Sequence, residues 1–230
     1  MIMERVIFLT DNPLATKSFY RDVLELEIVE ERDDSFTIGA GATQVTFQKT
    51  KEFARPFYHF AMNIPENKFH EAKSWLQARV TLIEEDGEDE VFFTSWNAHS
   101  VYFEDPSGNI VEFIARHNLS NAISHPFGSG DIHGVSEVGV VANEVIPFVR
   151  ALNDMGVPNW RADDEGLTPV GDEHGLFIVV KTKREWYFSN QKQAQFYPVK
   201  VLVSGIGWIT FCRCFEDYFL GQTARILEET

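Results

Sequence analysis

The sequence predicts an α+β protein built from a repeated βαβββ unit. Three observations predict this class. A strand–helix–strand–strand–strand order fills about the first 50 residues, the same order recurs up to residue 116, and it begins again after residue 133. A recurring unit indicates architecture more strongly than any single motif does, because each copy is the same supersecondary structure.

The first unit begins with an apolar, β-branched strand at Met3 to Thr10. Asn12 and Pro13 suit the N-cap and first position of a helix. The buried face of that helix is predicted from apolar residues at helical spacing: Ala15, Phe19, Val23 and Leu26. A short strand and a hairpin turning at residues 39–42 complete the unit.

The second unit repeats this order. Tyr58 to Ile64 reads as a strand, and Pro65 opens a helix whose inward face carries Phe69, Ala72 and Leu76. Thr81 to Glu84 is predicted as a short strand, and the acidic run 84–90 as a solvated loop. The closing hairpin turns at residues 105–109, where proline presets φ and glycine tolerates a positive φ.

A third unit follows a segment rich in Asn, Ser, Gly and Pro. Its predicted elements are a strand at Val135 to Val141, a helix from Asn143 to Gly156, a hairpin turning at 171–175 and a last strand from Tyr197. The predicted division is therefore a two-module domain at 1–117, a linker at 118–133, and a third module with a tail at 134–230. The conformation of residues 205–230 is left open.

Composition excludes some partners. The net charge of −15 over 230 residues repels a phosphate backbone or an anionic membrane, so neither nucleic acid nor membrane is expected as a partner. No stretch of about 18 apolar residues occurs, and the N-terminus does not resemble a signal peptide. Cys212 and Cys214 are predicted to be free thiols, which suits a reducing compartment. A cytoplasmic location is expected.

Glu112 stands out within the closing hairpin. Alternation along the return strand places it on one face with Ile110 and Ile114, so an acid lies on an otherwise apolar face. Burying a charge there is costly unless it is paired or binds a cation. The alternatives at this point are a plain salt bridge or sheet-edge position and a functional site.

Two segments resemble the vicinal oxygen chelate superfamily, which includes glyoxalase I, bleomycin and fosfomycin resistance proteins and extradiol dioxygenases. FYRDVLELEI at 19–28 is similar to the first-helix signature, and FEDPSGNIVEFIAR at 103–116 to the closing hairpin. The resemblance covers Met3 to Arg116 and extends more weakly over the third module. It implies paired βαβββ modules that form a U-shaped cleft.

The resemblance also implies metal ligands on the first and last strands of each module. Those positions fall on Arg5 and Thr46 in the first module and on His59 and Glu112 in the second, and the first-strand position of the third module is Glu137. Only His59 and Glu112 have the expected ligand types, so a degenerate site is predicted at these two. It holds Fe, Mn, Zn or Ni, or it holds no metal and Arg5 pairs with Glu112.

Other histidines complete the set of candidates. A third ligand, if present, is expected from His99 or His117, although a surface or loop position is favoured for each. His133 near Glu137 is the remaining pair of interest.

The cleft is expected to hold a small aromatic or oxygenated molecule. The predicted catalytic residues are His59, which could act as a general base, and Glu112. Aromatic residues on or near strands that would line the concave face are Phe36, Phe47, Phe92, Trp96 and Tyr102, although core packing is favoured for any one of them. Arg5, Thr46, Phe47, Trp96 and Tyr102 are the predicted substrate-binding residues.

Three functions stay open. The first is a metal-dependent dioxygenase, lyase or isomerase, and the second is a metal-free protein that sequesters a ligand, as resistance proteins do. The third is a regulatory protein whose unpaired third module forms the interface of a homodimer. The sequence does not name the small-molecule partner, because function depends on the site rather than on the fold.

Overall fold

The computed structural model of the protein describes residues 1–212. Three helices and thirteen strands follow one another in the order that the repeat predicts, with a π-helical turn at Phe19–Val23 and a 3-10 turn at Ser129–Asp131. The helices are α1 (Pro13–Ser18), α2 (Phe69–Gln77) and α3 (Val145–Asp154). The strands are β1 (Met3–Thr10), β2 (Ile28–Arg32), β3 (Ser35–Ala40), β4 (Thr43–Lys49), β5 (His59–Ile64), β6 (Val91–Phe93), β7 (Ala98–Glu104), β8 (Ile110–Arg116), β9 (Gly134–Ala142), β10 (Leu167–Asp172), β11 (Gly175–Lys181), β12 (Val199–Val203) and β13 (Gly207–Phe211).

The repeated module is visible in the strand pairing. The first strand of each module is parallel to its last strand: β1 to β4, β5 to β8 and β9 to β11. A parallel pair needs a crossover connection, and the helix of each module lies in that connection. The α+β class and the paired βαβββ modules are therefore confirmed, with the third module present.

Which modules pair differs from the expectation. The seven-stranded sheet has the order β10-β11-β9-β5-β8-β7-β6, so the second module joins the third through the antiparallel pair β5 and β9. The first module lies in a six-stranded sheet of order β13-β12-β1-β4-β3-β2. The expectation that the first two modules pair to form the cleft was therefore wrong. The second and third modules pair instead, which brings residues on β5, β8 and β9 together.

Strand β12 pairs with β1 in the antiparallel sense, just as β9 pairs with β5. The hairpin of β12 and β13 therefore completes the sheet of the first module, and the prediction that the strand from Tyr197 closes the third module was wrong. Because the third module is already paired within the chain, it gives no reason to expect a dimer, and the homodimer stays a prediction. The division of the chain at 118–133 also stays a prediction.

Aromatic side chains fill the core between the sheets and helices. Phe8 stacks on Phe60, and Tyr20 and Phe36 each stack on Phe47. Phe36 and Phe47 are buried in this core. Neither lines the cavity described below, and the structure places both in core packing, which is the interpretation favoured for each by itself.

Some local predictions were also wrong. Residues Thr81 to Glu84 form no strand, since only Leu82 makes an isolated bridge, to Phe103. The acidic run is not simply solvated, because Lys73 pairs with both Asp89 and Glu90.

The cysteine prediction was wrong for the cysteine within the described residues. Cys212 is disulfide-bonded rather than free, and Cys214 lies outside the described residues. One of the observations behind the cytoplasmic expectation is thereby removed. Among residues 1–212, none of the helices has the length and apolar character needed to cross a bilayer.

Candidate metal centre

Three buried side chains with metal-ligand chemistry meet on one face of the seven-stranded sheet. They are His59 on β5, Glu112 on β8 and Glu137 on β9, and one ligand atom of each lies within 4.8 Å of the others. His59 Nε2 is 3.6 Å from Glu112 Oε2 and 3.8 Å from Glu137 Oε2. No other group of three or more such side chains occurs among residues 1–212.

Strand register explains why they meet. Ala61 on β5 is the cross-strand partner of both Glu112 and Glu137, so the two acids flank it on the same face. His59 lies two residues before Ala61 and therefore points to that face as well. The small side chain at position 61 leaves room for both carboxylates beside the imidazole.

The His59 ring is held in the orientation that a ligand requires. Its Nδ1–H donates a hydrogen bond to the backbone carbonyl of Ile110 at 3.2 Å. A donor at Nδ1 leaves the lone pair on Nε2, the atom that faces the carboxylates. The ring is therefore set up to coordinate a cation or to accept a proton at Nε2.

Glu137 is oriented by a buried arginine. Arg116 Nη2 donates to Glu137 Oε1, and Arg116 Nε donates to Asn63 Oδ1 at 3.2 Å. The guanidinium is fully buried and lies 5.3 Å from the Trp96 ring and 5.8 Å from the Trp160 ring. Because Oε1 is occupied by Arg116, Oε2 is the oxygen available toward His59.

The charges of this cluster are not balanced. Burial, together with the charge of Glu137, raises the pKa of Glu112 to about 7. Burial lowers the pKa of His59, but the nearby carboxylates of Glu137 and Glu112 outweigh burial and leave it above the ordinary value. With His59 neutral, two carboxylates and one arginine leave a net charge of −1, which one proton on His59 or on Glu112 would neutralise.

A cavity of about 420 Å³ opens over the three ligands. Its walls include the aromatic rings of Phe93, Trp96, Tyr102, Trp186 and Tyr187, and its apolar residues include Ile114, Leu167 and Ile178. This volume lies in the lower part of the range for small-molecule pockets, about 300–1,000 Å³. The buried ligands form its floor, while the exposed side chains of Asp164 and Tyr187 mark its mouth.

Comparison with known proteins identifies the family of residues 2–113. Residues 2–113 match the model of the Glyoxalase/Bleomycin resistance protein/Dioxygenase superfamily. These residues belong to that superfamily. Its members bind divalent metals and small-molecule ligands. No curated protein matches the sequence.

Solved structures of the same fold extend the likeness beyond residue 113. A candidate dioxygenase from Bacillus subtilis is 16% identical, covering 100% of this chain and 76% of that one, with a TM-score of 0.57. A variant of glyoxalase I from Zea mays is 12% identical over 98% of this chain and 80% of that one, with a TM-score of 0.56. Another Zea mays glyoxalase I structure has a TM-score of 0.51 at 14% identity, covering 78% and 66%. At these identities the likeness shows the fold alone.

The superfamily's first-module positions do not contribute to the cluster. Arg5 donates to Gln44 Oε1 at 2.6 Å, and Thr46 lies 2.9 Å from the Thr37 hydroxyl, both on the six-stranded sheet. Neither they nor Phe47 line the cavity. The predicted Arg5–Glu112 ion pair is therefore absent from residues 1–212, and substrate binding by Arg5, Thr46 and Phe47 has no support from the geometry.

The second-module positions do come together. His59 and Glu112 lie in the cluster, and Trp96 and Tyr102 line the cavity as the sequence predicts. Burial and the charges of Glu112 and Glu137 raise the pKa of Tyr102 well above its ordinary value, so its phenol stays protonated. Phe92, by contrast, is 45% exposed and does not line the cavity.

The other histidine candidates lie elsewhere. His99 and His117 bond to each other at 2.7 Å through Nδ1 and Nε2, beside Phe92, and neither joins the cluster. The backbone N–H of His133 donates to the Asn63 carbonyl, and His133 is not a member of the cluster. The third side chain of the cluster is Glu137 instead.

Sequence reasoning placed Glu137 at a corner position but did not bring it into the site, and it missed Arg116, Trp186 and Arg184. For Glu137 the available signal was an acid within the apolar strand GVSEVGVV. Trp186 carried no such signal, because it follows no periodic pattern. Its ring centroid lies 5.1 Å from that of His59.

Proposed function

We propose that the protein is a divalent-metal-dependent enzyme of the dioxygenase or lyase type that acts on a small aromatic molecule with two neighbouring oxygens. One observation carries the proposal: Nε2 of His59 and one Oε2 each of Glu112 and Glu137 converge at the floor of an aromatic-walled cavity. The residues of the second and third modules provide this site together.

The donor set fits such an ion. Ligand atoms that share one ion at bond lengths of about 2.0–2.2 Å lie roughly 3–3.7 Å apart at ordinary angles, and the separations of 3.6 and 3.8 Å are close to this range. Imidazole and carboxylate together suit Fe, Mn, Zn or Ni. One histidine with two carboxylates departs from the 2-His-1-carboxylate set of non-haem iron oxygenases.

The ion would supply Lewis-acid stabilisation of charge on the two substrate oxygens. The chain's own residues supply the rest. The aromatic walls hold the ring of the substrate, and the Tyr102 phenol, which stays protonated, forms part of these walls beside Glu112. Arg116 and the Ile110 carbonyl keep Glu137 and His59 in place.

A metal-free binding protein is the second candidate, and one observation favours it. The raised pKa of His59 favours its protonated form, and this charge together with Arg116 would neutralise both carboxylates without an ion. The cavity would then sequester an aromatic ligand by burial alone.

The experiment that separates the two is a thermal-shift titration with single-ring vicinal diols, with and without one equivalent of Mn²⁺ or Zn²⁺. A ligand that binds the native state raises the apparent stability by mass action. The enzyme proposal expects a diol-dependent shift only when metal is present. An equal shift without metal would favour the sequestering protein, and no shift under either condition would contradict both.

A further inference from the structure

Arg184 is the one permanently cationic side chain among the described residues that line the cavity. The other charged residues of the lining are acidic: Glu112 and Glu137 at the floor, and Asp164 at the mouth. Arg184 is half-buried and lies in the segment between β11 and β12 that also carries Trp186 and Tyr187. The mouth therefore carries one charge of each sign, from Arg184 and Asp164, whereas the floor carries two carboxylates beside His59.

The backbone of Arg184 is fixed while its side chain keeps donors available. Its N–H donates to the Lys181 carbonyl at 3.0 Å, and its carbonyl accepts from Ala194 N–H at 2.7 Å. Nη1 donates to the Glu185 carbonyl at 3.2 Å, and the guanidinium lies 5.3 Å from the Tyr187 ring. Within residues 1–212, Nε and Nη2 make no hydrogen bond and no carboxylate lies within ion-pair distance.

Asp164 is the acidic residue at the same mouth, and one of its carboxylate oxygens is already hydrogen-bonded to the backbone. Its Oδ1 accepts hydrogen bonds from the backbone N–H groups of Gly166 and Leu167, at 2.7 and 3.1 Å. These bonds fix the loop that leads into β10. Asp164 therefore anchors the rim. Besides these backbone hydrogen bonds, the charge of Arg184 contributes to lowering the pKa of this carboxyl, but within residues 1–212 no Arg184 donor forms a hydrogen bond to it.

The space between floor and mouth suits a flat molecule. Phe93, Trp96 and Trp186 present aromatic rings, and the volume of about 420 Å³ fits one substituted ring better than a large conjugate. A ring with its oxygens at the floor directs its opposite substituent toward the mouth.

We propose that the substrate is a single aromatic ring with vicinal oxygens at one end and a carboxylate at the other, and that Arg184 binds the carboxylate. A planar guanidinium matches a carboxylate in a way that a neutral donor cannot. The placement of the vicinal oxygens at the floor rests on the proposed function, whereas the placement of the carboxylate at the mouth rests on Arg184. Arg184 is thus a specificity-determining residue for an aromatic acid.

The test uses two matched diols, 4-methylcatechol and 3,4-dihydroxyphenylacetate, titrated by calorimetry into the Zn²⁺-loaded full chain without oxygen. Wild type is expected to bind the acid about tenfold to a hundredfold more tightly than the neutral diol, the usual range for charge-assisted hydrogen bonds. Arg184→Gln should remove this preference and leave the affinity for the neutral diol within about threefold.

The matched control is Lys183→Gln, which makes the same charge change in the same segment at a residue outside the cavity lining. It should leave the preference for the acid intact. Equal affinity of wild type for both diols, or loss of the preference in Lys183→Gln as well, overturns the role of Arg184. If neither diol binds the Zn²⁺-loaded protein, the proposed function of the floor fails, and the inference fails with it.

Discussion

Arg116 decides how Glu137 is presented to the cavity floor. A carboxylate that is free to rotate offers either oxygen to several partners, whereas the bond from Arg116 to Oε1 leaves Oε2 toward His59. Residues that orient a metal ligand in this way usually matter nearly as much as the ligand itself. The guanidinium also offsets one of the two carboxylate charges.

Arg116→Gln is therefore expected to lower the affinity for a divalent ion by about tenfold to a hundredfold, as outer-shell substitutions commonly do. The affinity is measured by competition with a chelating dye at fixed pH. Arg5→Gln is the control, since the side chain of Arg5 bonds to Gln44 on the other sheet. Unchanged affinity in a folded Arg116→Gln protein would show that Glu137 needs no such partner.

Glu112 gives a prediction about pH for the metal-free protein. Its folded pKa of about 7 lies above the ordinary 4.5, so the folded state disfavours the ionised carboxylate. The metal-free wild type should lose stability relative to Glu112→Gln as pH rises from about 4.5 to about 7, by roughly 3 kcal/mol at most. Urea unfolding at pH 5 and pH 8 measures this, and a difference that is the same at both pH values would contradict it.

At this scale the sequence identified two of the three residues that form the floor. His59 and Glu112 were found because both lie in one module whose ends resemble the superfamily. Glu137 was not brought in, because its partners depend on which modules share a sheet, and no local pattern contains that information. Arg116 was missed because a residue that ends a strand looks like an ordinary surface arginine.

Strand β9 builds the site through alternate residues on one face. Glu137 supplies a ligand, and Gly139, two residues on, leaves space for the Trp186 ring. A Cβ at position 139 would lie 2.6 Å from Trp186 Cη2 and 3.1 Å from the His59 carbonyl oxygen. The glycine therefore allows the wall of the cavity to approach the ligand strand.

Gly139→Ala is expected to displace Trp186 and to destabilise the protein by about 1–3 kcal/mol, the usual range for overpacking. Tryptophan fluorescence and chemical unfolding report the two effects. Gly130→Ala serves as the matched control, because a Cβ there meets nothing within 4 Å. Equal behaviour of the two variants would mean that Trp186 does not pack on β9 as described.

Sequence periodicity predicted most helices and strands, and it failed where a strand forms only if a neighbouring strand pairs with it. Alternating strands and the hairpin at 105–109 follow from local sequence. Thr81 to Glu84 has strand-like residues, but it pairs with the neighbouring strand β7 only at the single bridge between Leu82 and Phe103. In contrast, β13 was left open by the sequence, and it forms because β12 offers it an edge.

In the whole molecule, the site connects the second and third modules. Its ligands come from β5, β8 and β9, so a bound ion would stabilise the β5–β9 pair as well as each module. Hydrogen exchange should therefore slow in both modules when one equivalent of metal is added. The six-stranded sheet provides no ligand, and its β1–β4 amides serve as the internal control.

The expected stabilisation is about 2.7 kcal/mol at an ion concentration of 100 Kd. Protection confined to β5 and β8, with β9 unchanged, would show that Glu137 does not bind the ion. Equal protection throughout both sheets would indicate a global effect rather than a site.

The central claim is tested most directly by the metal stoichiometry of wild type and Glu137→Gln, measured by elemental analysis after equilibration with Mn²⁺ and removal of free ion. This substitution keeps the size of the side chain and removes its charge. Wild type is predicted to retain one equivalent, and Glu137→Gln to retain less than a tenth of that. Retention of a full equivalent by Glu137→Gln, or of none by wild type, would contradict a metal centre built from the second and third modules.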